Sequence, residues 1–109
     1  MDFKDLASNL GFDEEDFNEL LHVFLMTSFS DIEKISIGLK EESREKIAQA
    51  AHSIKGAASN LGLDDIALTS KDMEMTAKDA NVTDFSGFRN KIDFISKELK
   101  KIENAIKTD

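Results

Sequence analysis

The chain has 109 residues, with no cysteine and no proline and a formal net charge of -8 from 22 acidic and 14 basic residues. Disulfide and thiolate chemistry are excluded, a metal site would have to rest on two histidines and carboxylates, and the negative charge opposes binding along nucleic acid or anionic lipid. No secretory signal pattern stands at the start and no apolar run approaches the roughly 18 residues of a membrane span, so the expected setting is the cytoplasm and the expected partner a protein.

The absence of proline and the abundance of Ala, Leu, Lys and Glu favour helices, and no linker or repeat divides the chain, so residues 1–109 are expected to form a single domain. A short first helix places Phe3, Leu6 and Leu10 on one side and stops around Asn9 to Gly11, as a lid. A second helix opens at an N-cap, Asp13, with Asp16 at N3 and with Phe12 and Phe17 spaced as a hydrophobic staple. Its inward stripe is Leu21, Leu25, Ser28, Ile32, Ile35 and Leu39, widened by Phe24 and Phe29.

Ser43 is the expected cap of a third helix with Ile47, Ala51, Ile54, Ala58 and Leu61 inward and Gly62-Leu63 as a Schellman ending. A fourth helix, capped near Asp64, turns Ile66, Ser70, Met73 and Ala77 inward, with Met73 and Met75 both read as core filler; Asn81 to Thr83 form a loop. A last helix repeats Phe85, Phe88, Ile92, Ile95, Leu99, Ile102 and Ile106. Short connections make neighbours antiparallel, which predicts an all-α, antiparallel four-helix bundle with a short extra N-terminal helix. A coiled-coil assembly through the last helix is the rival, but helices two to four need that seam to close their own core.

Helix three carries the chemistry. At about 100° per residue, His52 lies about 140° from the centre of the inward stripe, near Lys55 at about 80°, Ala48 at about 100°, Ser59 at about 120°, Gly56 at about 180° and Gln49 at about 200°. Ala48, Gly56 and Ser59 surround the ring with small groups, and Lys55, expected to point to water, is the one cation within a turn. Gly56 costs roughly 0.5 to 1 kcal/mol relative to alanine in a helix, which is explained if its gap lets another backbone approach. Imidazole is mostly neutral at pH 7 and attacks an activated phosphoryl group without a dedicated base, while an ammonium point charge suits the phosphoryl anion. His22, in LLHVFL, has no cation at i+3 or i+4 and reads as a helix-edge residue.

The run His52-Ser53-Ile54-Lys55-Gly56-Ala57-Ala58-Ser59-Asn60-Leu61-Gly62 resembles, without a gap, the signature H-x-[IL]-K-G-[SA]-[SA]-x-x-[IL]-G of histidine-containing phosphotransfer (HPt) domains. The resemblance extends over most of the chain. It implies a phosphorelay intermediate without ATP binding, and so not an enzyme: His52 accepts a phosphoryl group from a receiver-domain aspartate and passes it to another response regulator receiver. Lys55 would steady the group, and Gly56, with Ala48, Gln49 and Ser59, would face the partner. The implied partners are response regulator receiver domains and hybrid sensor histidine kinases, with magnesium supplied by the receiver and no cofactor on this chain, which is expected to be a monomer.

In some family members a polar and a basic residue on the next helix also face the site. Lys78 fits the basic place, with Lys71 as another candidate, whereas Glu74 departs from the pattern because a carboxylate would repel a phosphoryl group, and it is given no role. Two other readings stay open: a helical interaction module that docks receivers or kinases without carrying phosphate, and a segment of a longer chemotaxis-type kinase. The opening methionine and charged ends favour a stand-alone protein.

Overall fold

The computed structural model describes residues 3–107, which form five helices: α1 (Phe3–Asn9), α2 (Glu14–Lys40), α3 (Arg44–Asn60), α4 (Asp64–Lys78) and α5 (Gly87–Lys107). α1 covers part of α2, and α2 to α5 form the four-helix bundle, in which α2 and α4 lie across one diagonal and α3 and α5 across the other. No strand occurs among the described residues.

Each boundary has a local cause. Asp13 is in extended conformation and its carboxylate accepts from the Asp16 N–H at 2.8 Å, satisfying one of the free donors at the start of α2. Phe12 and Phe17 meet with ring centroids 6.4 Å apart, closing the staple. Ser43 caps α3 by accepting from the Lys46 N–H at 3.2 Å. The Schellman ending of α3 is complete: Leu63 N–H donates to the Ala58 carbonyl at 2.9 Å, Gly62 N–H to that of Ser59 at 3.2 Å, and Gly62 has φ +72. The same motif ends α2, where Ser43 N–H donates to the Gly38 carbonyl at 2.8 Å, but there Glu42 occupies the left-handed position with φ 53.

The inward stripes are buried as spaced. Leu21, Ile35, Ile47, Ala51, Ile54, Ala58, Met73, Ala77, Ile95, Leu99 and Ile102 are closed to solvent, while Ile32 and Leu39 are half-buried at the edge. Three expectations are corrected, and one contact is new. Met75 is exposed, because it falls on the outer side of α4 two residues from Met73. Asp64 is the first helical residue rather than the cap; Leu63 holds that place and gives no side-chain bond. Phe85 precedes α5 and packs edge-on against Phe88, with centroids 5.6 Å apart. Gly38, given no role by the spacing, is where α2 meets α3: a Cβ there would stand 3.0 Å from Ile47 Cγ1.

Candidate functional site

α3 and α4 pack side by side and leave between them a groove of about 510 Å3. Arg44, Ala48, Gln49 and His52 line it from α3, and Glu74, Ala77 and Lys78 from α4. The helical spacing does the positioning: His52 and Lys55 are one turn apart on α3, Glu74 and Lys78 one turn apart on α4, and the two pairs face each other.

Glu74 lies at the centre. Lys55 Nζ donates to its Oε1 at 2.8 Å, Lys78 Nζ to its Oε2 at 3.0 Å, and His52 Nδ1 stands 3.0 Å from Oε2. Its side chain is 8% exposed, against 65% for His52. The hydrogen bond from Lys55 leads in holding the carboxyl down at about 2, with Lys78 adding to it against the opposing pull of burial. Glu74 is therefore ionised at neutral pH and can only accept, so the proton of neutral His52 sits on Nδ1 and the Nε2 lone pair is left for reaction.

The placement of Glu74 corrects the sequence reading. A lone carboxylate would repel a phosphoryl group, whereas two ammonium groups share this one and leave the cluster a net positive charge. Lys55 is also corrected: it is half-buried, not directed to water, because the arc of α3 at about 80° to 100° faces α4. For the same reason Ala48 is 6% exposed and forms the floor of the groove. Gln49, Gly56 and Ser59 are exposed as spaced, and nothing lies within 4 Å of a Cβ built at Gly56. Gln49 donates to Glu45 at 3.3 Å. Lys78 joins the cluster; Lys71 is exposed and does not line the groove.

A family model described as Hpt domain matches residues 19–107. The chain belongs to the Hpt domain family. Hpt domains are phosphotransfer modules of two-component signalling, and their fold is a helical bundle. Neither the comparison with curated proteins nor that with solved structures finds a match. No helix among the described residues is long and apolar enough to cross a membrane.

In this Hpt domain the sequence reading missed Arg44. Its guanidinium donates to the carbonyls of Ala77, Asp79 (2.8 Å) and Val82, and lies 4.9 Å from the centre of the Phe85 ring. One side chain at the start of α3 thus satisfies the free carbonyls at the end of α4 and fixes the link to α5, setting the end of the groove where Lys78 stands.

Proposed function

We propose that this Hpt domain is a phosphorelay intermediate in which His52 accepts a phosphoryl group from the aspartyl phosphate of one receiver domain and passes it to another. The observation that carries the reading is the largely exposed His52 ring, held at Nδ1 by a buried carboxylate that also gathers two lysines, with Nε2 making no such bond among the described residues. In this reading the Nε2 lone pair attacks phosphorus, the bond to the aspartate oxygen breaks, and the aspartate leaves as a carboxylate. Lys55 and Lys78 lie close enough to offset the charge of the transferred group, and the clearance over Gly56 admits the backbone of the receiver. Magnesium belongs to the receiver's acidic pocket, and hybrid sensor histidine kinases supply the phosphoryl group through their own receivers. The protein works as a cytoplasmic monomer.

The alternative, a docking module that carries no phosphoryl group, draws its force from Glu74 as a repulsive charge. Two ammonium groups against that one carboxylate support the carrier instead. Labelled phosphoryl transfer from a phosphorylated receiver tests it. Wild type and His22→Gln are expected to take the label and His52→Gln to fall to background; label retained on His52→Gln overturns the assignment.

A further inference from the structure

Resting on the carrier reading, we propose that Glu74 keeps the Nδ1 proton on His52 after phosphorylation, so that the phosphoryl group is carried on an imidazolium ring and is released readily. The proton is in place before the reaction. Attack by Nε2 forms the N–P bond without removing it, and the ring then holds one N–P bond, one N–H bond and a positive charge. A phosphohistidine in open water can lose that proton, and the ring would then have to leave as an imidazolate anion, a poor leaving group. With the proton retained, it leaves as neutral imidazole.

The geometry supplies the retention. Nδ1 and Oε2 are 3.0 Å apart, and although the ring is largely exposed the carboxylate is shielded from water, so its attraction for a charged ring is screened less than between two exposed groups. Lys78 shares Oε2 with the ring, and its side chain is 65% exposed. Once a phosphoryl group sits on Nε2, this ammonium can turn toward it, and the ring proton becomes the only donor left on that oxygen. Lys55, on the other oxygen, is held more deeply. The other charged groups along the groove are Arg44, tied to three carbonyls, and Glu45, paired with Gln49; no residue of α2 or α5 lines it.

Glu74→Gln separates charge from orientation, since an amide oxygen still accepts from Nδ1–H but gives a cationic ring no counter-charge. The chain is phosphorylated with phosphoramidate, no receiver being present, and loss of the group is followed by phosphorus NMR from acid to alkaline pH. Wild type is expected to stay labile to a pH about one unit higher than Glu74→Gln, so that near pH 8 the variant's phosphoryl group lasts about tenfold longer. Nitrogen NMR of phosphorylated wild type, which needs no variant, is expected to find Nδ1 protonated at that pH. Superimposed pH profiles, or a bare Nδ1 in wild type, overturn the proposal. Label appearing equally on His52→Gln would instead overturn the carrier reading itself.

Discussion

Lys55 and Lys78 bind the same carboxylate but from different depths, and the difference sets what each is worth to the fold. Removing Lys55 leaves a buried carboxylate with one cation fewer, so Lys55→Ala is expected to cost about 1 to 3 kcal/mol. Lys78 is mostly exposed, and Lys78→Ala should cost less than about 1 kcal/mol. Urea unfolding of the two variants checks the order. The carboxyl of Glu74 titrates lower in the folded chain, at about 2, than its ordinary value of 4.5, so it adds stability in full above about pH 4.5 and loses it as pH falls through about 2. Wild type is therefore expected to lose more of its urea midpoint between those limits than Glu74→Gln, whose side chain does not titrate. His52 and its lysine were legible because a motif within one helix needs only spacing. Glu74 was not, since its partners on α3 lie 22 and 19 positions away, and only the packing of α3 on α4 brings them within reach.

Two glycines in helix interiors show what an element's own sequence can say. Gly56 faces open space and Gly38 faces Ile47, yet both read alike in one dimension. Gly56→Ala is expected to raise stability by about 1 kcal/mol, while Gly56→Leu, also folded, should weaken receiver binding by filling the approach. Gly38→Ala should lower the melting temperature, because Ile47 or the α2–α3 spacing must give way. At the end of α2, Glu42→Gly is expected to gain about 1 kcal/mol by relieving a left-handed non-glycine residue. Thermal melts of the four variants check these directions, and unaltered receiver affinity for Gly56→Leu would count against the clearance argument. The N-cap of α2 and the glycine stop of α3 were readable because caps are local; Arg44 was not, because its acceptors are backbone carbonyls at Ala77, Asp79 and Val82, which no side-chain pattern records.

For the molecule as a whole, the apolar stripes sufficed to give the bundle, since each is wide enough for one inward face and the connections are short. What they could not give is the lateral arrangement: that α3 and α4 are neighbours whose shared edge carries the charged cluster, and that Ala48 lies beneath it. Buried Ser28 Oγ, Ser70 Oγ and Asp31 Oδ2 have no hydrogen-bond partner among the described residues, so the core is not optimised throughout. Asp31→Leu is a place to test that, with an unchanged or raised melting temperature expected.

In the carrier function proposed above, the one ring of His52, beside Lys78 in a single groove between α3 and α4, serves every partner, and this limits traffic. Donor and acceptor must occupy the same seat in turn, so an emptied donor that lingers blocks its successor. Adding unphosphorylated donor receiver should accordingly slow delivery to the acceptor in a competitive fashion, and the relay should run fastest when each visit is brief.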